Sequence, residues 1–268
     1  MATAAALWGL WPLWVRWGGA GAATATIALL VTGALGLPLA ILEGAGRRRA
    51  IVPWALVACL GVTDAGNAGC YFLALARGAT APAVLCHYVA PVMVAVAAPM
   101  VLREPRSRRT PLALLLALAG TALIVAAGKP TQSGSVSFAV LFGGLSAIFY
   151  AANVLLSRIL TPHFGNSELL SYHALVSAAL LAAITGVPFT QAAWTWVGLG
   201  GAVSAFGAGL LFYVGLRRMP TERASILCYI EPLAAVIIGR LVLSEPIAPL
   251  AAAGGCLVLA GGLLVAAR

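Results

Sequence analysis

The sequence predicts an all-α membrane protein: ten transmembrane helices in two inverted five-helix repeats around a central cavity. Three observations predict it. Of 268 residues, 62% are hydrophobic, only 9% are charged, and the mean hydropathy is +1.02. A soluble domain carries about 25% charged residues, so this chain lacks the charge for a water-facing surface. The apolar residues gather into ten runs, most close to the roughly 20 residues a spanning helix needs. The second half of the chain also repeats the first.

The runs cover 3–17, 22–42, 51–76, 81–102, 111–127, 137–160, 168–188, 193–216, 221–243 and 247–267. The first is short because Arg16 arrives early. Thr80 with Pro82, Thr110 with Pro111, and Ser244 with Pro246 read as N-caps with a first-turn proline. Asn166, Ser167 and Glu168 place a cap and a negative charge at the start of the seventh run. The connections are short, leaving no room for a soluble domain. The repeats divide the chain into 1–130 and 131–268.

The formal net charge of +9 does not form one solvated basic face, as nucleic-acid binding requires. One set of connections holds Arg47, Arg48, Arg49, Arg103, Arg106, Arg108, Arg109, Arg158, Arg217, Arg218, Arg223 and Arg268. The alternate set holds Arg16, Arg77, Lys129 and Arg240. Twelve against four orients the chain with both termini in the cytoplasm. The apolar start has no basic region before it, so it does not read as a signal peptide. Cys59, Cys70, Cys86, Cys228 and Cys256 sit inside apolar runs without a CxxC pair, as small apolar fillers. Abundant Ala, Gly and Arg with a single lysine point to a bacterial cytoplasmic membrane.

A shift of 141 residues lays LALARGATAPAVLCHYVAPVMVAVAAPMVLREP (73–105) over VGLRRMPTERASILCYIEPLAAVIIGRLVLSEP (214–246) without a gap. Thr80 meets Thr221, Tyr88 meets Tyr229, Pro91 meets Pro232, and Glu104-Pro105 meets Glu245-Pro246. Five spans per repeat is an odd number, so the second repeat enters from the opposite side. Inverted repeats build secondary transporters, with the site near the midplane between halves.

Trp8-Gly9 in the first span, Phe72-x-Ala74-Leu75 before the fourth, a proline inside the fourth and ninth, and Glu-Pro after each resemble the EamA-type branch of the drug/metabolite transporter superfamily. The likeness covers nearly the whole chain. It implies a ten-helix basket whose cavity is lined mainly by spans 1, 3, 4, 6, 8 and 9. It also implies export of amino acids, drugs or other metabolites. The first span is shorter than usual for that family.

A carboxylate at the centre of a spanning helix costs roughly 2.5–3.5 kcal/mol on insertion scales. Asp64 and Glu231 stand there, one from each half. They read as substrate or proton groups, against a buried packing pair. Asp64, Asn67 and Tyr71 share a helical face. Ser146, Tyr150, Asn153 and Ser157 form a polar stripe on the sixth span, either cavity lining or interhelical hydrogen bonding. His87-Tyr88 precedes Pro91, and Tyr229 and Glu231 flank Pro232; a mid-helix proline frees a carbonyl. His87 is either a structural histidine or a group that titrates near neutral pH, while His173 falls in a span that the resemblance puts at the periphery. Trp8 and Trp11 share a face and either suit a cationic amphipath through cation–π contact or belong to an interfacial aromatic belt. Trp14, Trp194 and Trp196 fit an interfacial belt. Glu104 and Glu245 read as structural, paired with Arg103 and Arg240.

The expected function is therefore proton-coupled export of amino acids or amphipathic amines by alternating access. An uncoupled facilitator or importer of the same fold is the alternative. HExxH, GxSxG, P-loop and Asp-rich motifs are all missing, which argues against an enzyme, a metal or a cofactor. The expected partners are lipid, a small-molecule substrate and protons, not nucleic acid, with monomer and homodimer both open.

Overall fold

A computed structural model describes residues 1–19, 22–45, 50–105, 107–128 and 134–266. Arg47, Arg48, Arg49, Arg106, Lys129 and Arg268, and the expected repeat boundary at 130/131, lie outside the described residues.

The chain is helical almost throughout. The helices are α1 Ala2–Trp8, α2 Trp11–Gly18, α3 Ala22–Gly44, α4 Ile51–Arg77, α5 Thr80–His87, α6 Ala90–Val101, α7 Thr110–Ala127, α8 Val136–Leu160, α9 Asn166–Thr185, α10 Ala193–Arg218, α11 Thr221–Leu227, α12 Ile230–Leu243 and α13 Pro249–Ala266. Among the described residues nine helices are long and apolar enough to cross a membrane, counting α5–α6 and α11–α12 as one each. Their outer faces carry exposed Leu42, Ile51, Ile184 and Leu241. Such a surface suits lipid and not water.

Three of the predicted spans are interrupted, and proline explains each. Proline lacks an N–H and its ring collides with the carbonyl four residues back. Pro12 ends α1 at Trp8, and Pro91 ends α5 at His87; Pro232 ends α11 at Leu227, one residue short of the same spacing. The first span, expected as one helix over 3–17, is thus two short helices meeting at Gly9-Leu10. A further departure is α10, which contains π-helical turns over Ala193–Val197 and Gly201–Gly207.

The capping expectations need correction. Thr110 is the first residue of α7, with Arg109 as its cap. Ser244 closes α12 in a left-handed conformation instead of opening the next helix. Carboxylates from distant segments do the capping at one end of the bundle. Glu43 accepts from the amides of Ser167 (3.0 Å) and Glu168 (3.3 Å), and Glu104 accepts from the Thr221 amide (2.6 Å) and hydroxyl (3.0 Å). Each sets a negative charge on the exposed amides at a helix start. A Cβ on Gly165 would lie 2.0 Å from Glu43 Oε2, so any larger residue there would displace the capping carboxylate.

These contacts gather Glu43, Glu104, Ser107, residues 158–168 and residues 217–222 at one end, called the basic end. Arg16, Gly78, Ser135, Trp196 and Glu245 gather at the opposite end, where Arg16 meets Glu245 and Gly78 pairs with Ser135. Successive helices therefore alternate in direction.

The 141-residue relation is visible in the packing. Arg103 and Ser244, both with φ 55°, are 141 apart. α3 packs along α9, and α7 along α13. A Cβ on Gly120 would lie 2.5 Å from the Gly254 carbonyl oxygen; its counterpart on Gly261 would lie 2.7 Å from that of Ala113. The same shift carries Gly120 to Gly261 and Ala113 to Gly254, so the two contacts are one contact seen twice.

Candidate functional site

Two polar clusters lie inside the helical bundle. The larger one forms where the breaks in α5–α6 and α11–α12 meet α4 and α8. Pro91 and Pro232 deny the preceding turns their regular bonds. The Tyr229 hydroxyl donates to the freed Tyr88 carbonyl at 2.6 Å, and the two tyrosine rings lie 6.1 Å apart. These residues are 141 apart, so the repeat axis passes close to this bond. Both are buried, at 8% and 0% exposure.

Glu231 sits on the first turn of α12, where helix polarity favours a negative group. Tyr71, Tyr88 and Tyr150 are its close electrostatic neighbours. Among the described residues no Lys or Arg forms an ion pair with it. His87 stacks on Tyr71 at 4.2 Å and lies 5.6 Å from Tyr150. Its Nδ1 is 2.7 Å from Ser146 Oγ, and Ser146 donates to Asn67 Oδ1 at 3.0 Å. Because the Ser146 proton is committed to Asn67, Nδ1 of His87 must donate. Neutral His87 therefore keeps its lone pair on Nε2. Tyr71, His87, Tyr150 and Glu231 remain half-buried.

Asn67, His87, Tyr88, Glu231, Tyr71, Ser146, Tyr150 and Tyr229 thus come together, with Pro91 and Pro232 beneath them. Asp64 does not join them. Its Oδ2 accepts from Ser177 Oγ of α9 at 3.0 Å and faces His173 Nε2 at 3.6 Å. Asn153, on the expected stripe, keeps a buried Nδ2 without a hydrogen-bond partner. Ser157 turns to Tyr213 at 3.2 Å.

The break at Gly9 also separates the tryptophans expected to share a face. Trp8 packs on Phe212 at 5.5 Å, whereas Trp11 packs with Ile27, Ala28 and Val197. Trp14 donates to Ser204 at 2.9 Å, and Ser204 to the Leu7 carbonyl at 2.7 Å. Sequence reasoning missed Ser204, Ser177 and Tyr213. Ser177 and His173, four apart on one apolar helix, were the available signal for the second cluster.

The two ends differ. At the basic end Arg158 donates to Glu104 at 3.0 Å and to the Leu216 carbonyl, and Arg217 to Asn166 Oδ1 and to the Thr161 and Phe164 carbonyls. At the opposite end Arg16 meets Glu245 at 3.1 Å with both side chains more than half exposed. The expected local pairs, Glu104 with Arg103 and Glu245 with Arg240, are replaced by these long-range ones. A cavity of about 120 Å³ opens beside Arg16 and Glu245 and is walled by Gly9, Pro12, Ala235 and Gly239. A Cβ on Gly9 would lie 2.9 Å from the Glu231 carbonyl oxygen, so the break between α1 and α2 packs closely on the turn that carries Glu231.

The family model described as the EamA-like transporter family matches residues 1–126 and 137–267. A curated protein of Archaeoglobus fulgidus, described as an uncharacterized transporter, is 29% identical over 195 residues, covering 72% of this chain and 70% of that one. A solved crystal structure superposes with a TM-score of 0.82 at 21% identity, over 98% of this chain and 94% of that one; it shows the same fold.

Proposed function

Because this chain belongs to the EamA-like transporter family, we propose that it is a secondary transporter of small cationic or zwitterionic metabolites, amino acids or amphipathic amines, exported against proton entry by alternating access. One observation carries the substrate class: Glu231, a carboxylate at membrane depth, is ringed by Tyr71, Tyr88 and Tyr150 and pairs with no basic side chain among the described residues. Intramembrane carboxylates are costly and mark pathways. Aromatic faces around a carboxylate attract a desolvated ammonium. His87 and Asn67, linked through Ser146, offer polar contacts for the rest of the molecule.

Alternating access fits the asymmetry of the ends. A cavity opens at the Arg16 end, while Glu104, Arg158 and Thr221 bind the basic end together. We read the basic end as cytoplasmic, with ten crossings in a bacterial cytoplasmic membrane. An uncoupled facilitator is the second reading, favoured if flux persists once the proton gradient is collapsed.

A panel of amino acids and amphipathic amines, scored by thermal shift of the purified protein and then by flux in proteoliposomes, tests the site. A bound amine stabilises the native state by mass action. The Glu231→Gln protein is expected to lose the amine-induced shift at least tenfold in ligand concentration while its unliganded unfolding temperature stays near wild type. An unchanged amine response in E231Q overturns the assignment.

A further inference from the structure

We propose that Asp64 and His173 hold one proton between them, forming a proton-binding site at membrane depth separate from the tyrosine-lined site around Glu231. Only the use made of the proton rests on the transporter reading; the site itself stands on its geometry. His173 Nδ1 lies 2.5 Å from the Leu169 carbonyl oxygen, one turn back on α9. A carbonyl cannot donate, so Nδ1 carries a hydrogen. In a neutral ring the remaining lone pair is then on Nε2, and Nε2 faces Asp64 Oδ2 at 3.6 Å. A lone pair facing a carboxylate oxygen is repulsive. The contact is favourable when a proton sits there, on the nitrogen or on the carboxyl.

The surroundings offer Asp64 little else. Ser177 has one hydroxyl hydrogen, and three acceptors compete for it: Asp64 Oδ2, the Gly61 carbonyl at 2.9 Å and the His173 carbonyl at 2.8 Å. From α10, Tyr213 places its hydroxyl 3.5 Å from His173 Nδ1 and is bonded to Ser157 of α8. Arg217, further along α10, is held by Asn166 and the Thr161 and Phe164 carbonyls. On α3, Thr32 is bonded to the Ala28 and Gly201 carbonyls, and Glu43 caps α9. Asn67, on α4 itself, is bonded to Ser146. Among the described residues no Lys or Arg pairs with Asp64.

The repeat supplies the comparison that separates a proton site from a packing contact. The 141-residue shift equates Asp64 with Ala205, His173 with Thr32 and Ser177 with Gly36. At that symmetric place a threonine hydroxyl donating to backbone closes the interface. The fold therefore joins its halves there without ionisable groups. Where the pair does occur, it joins α4 of the first half to α9 of the second. The His173 side chain is 8% exposed and that of Asp64 19%, so the carboxylate is the less enclosed of the two. With its proton the pair is neutral overall and holds α4 to α9. Losing the proton leaves an uncompensated negative charge in the contact and loosens it, which couples proton traffic to movement of the halves.

The chain has three histidines, His87, His163 and His173, which makes ¹⁵N-histidine NMR in lipid nanodiscs tractable. His173→Gln assigns the signals, and no substrate is needed. At neutral pH, Nδ1 of His173 is expected to carry a hydrogen, and the Nε2 signal to lie away from that of a bare ring nitrogen, because the proton held with Asp64 sits against it. Asp64→Asn should return Nε2 to the signal of a neutral, unprotonated nitrogen, while Ser177→Ala, which leaves both partners in place, should keep it displaced. The wild-type spectrum decides alone if neither variant folds: a bare Nδ1, or a bare Nε2, overturns the proposal. Failure here leaves the Glu231 amine site untouched, and failure of that site leaves the His173 signals as expected.

Discussion

The hydroxyl of Tyr229 shows how single atoms hold the broken helices. It satisfies the Tyr88 carbonyl that Pro91 and the adjoining turn leave free, with both tyrosines buried. Tyr229→Phe keeps the ring and leaves a buried acceptor unpaired, at a cost of about 1–3 kcal/mol. Unfolding of the purified protein should shift accordingly, while Tyr213→Phe, whose hydroxyl has only longer contacts at 3.2 and 3.5 Å, should shift it less. Equal shifts would mean that the Tyr88 carbonyl finds another donor. Glu231, His87, Tyr88 and Tyr229 were legible as candidates because polar groups are rare in apolar runs and flank the two prolines. The partner of Asp64 was not legible. Ser177 lies 113 residues away, and nothing local in either segment announces the pairing; His173 looked peripheral by resemblance alone.

Among the elements, the proline-broken helices behave as the chemistry of proline dictates, and the breaks at Pro91 and Pro232 could be read directly. Pro12 carried the same signal for α1 and α2, but the short apolar run made one continuous helix the simpler reading. The π turns of α10 had no local signal, since its glycines at 198, 200, 201 and 207 are compatible with a regular helix. Thr110 and Ser244 are not N-caps, and the carboxylates that do cap α9 and α11 come from other segments, beyond any local pattern. Glu104 illustrates the consequence. It caps α11 and holds Arg158 with its own side chain 11% exposed, so it ties three segments at the basic end. Cys228, 3% exposed and bonded to the Ala224 carbonyl, sits just after α11 beside the candidate site. Removing a cap costs about 0.5–2 kcal/mol. In a protein whose other four cysteines are replaced, Glu104→Ala should speed labelling of Cys228 by a water-soluble thiol reagent several-fold. Glu245→Ala should change it little, because exposed pairs contribute about 0–1 kcal/mol. Similar rates in both variants would deny that the Glu104 cluster closes the basic end.

For the whole molecule, the repeat was the most legible feature, because Tyr-x-x-Pro and Glu-Pro recur at a fixed shift that apolar composition does not produce by chance. The number of crossings was less so, since α1 and α2 fall short of the usual length. Their packing supplies the argument. Met1 lies against Gly215, near the basic end of α10, while Gly18 lies against Val197 near its start. Trp14 and Leu7 meet Ser204 between them. The broken pair therefore runs antiparallel to α10 along nearly its whole length, and α10 is one of the nine helices long enough to span. A helix rises about 1.5 Å per residue, so α1 and α2 cover most of a hydrocarbon core of about 30 Å. Ten crossings put both ends of the chain on one side; nine would put them on opposite sides. Single cysteines placed at Thr3 and at Ala266, probed with a membrane-impermeant reagent in oriented vesicles, should label from the same face as one placed at Ser107. Labelling of Thr3→Cys from the other face would remove α1 and α2 from the count and leave the inverted symmetry of the halves without its first member.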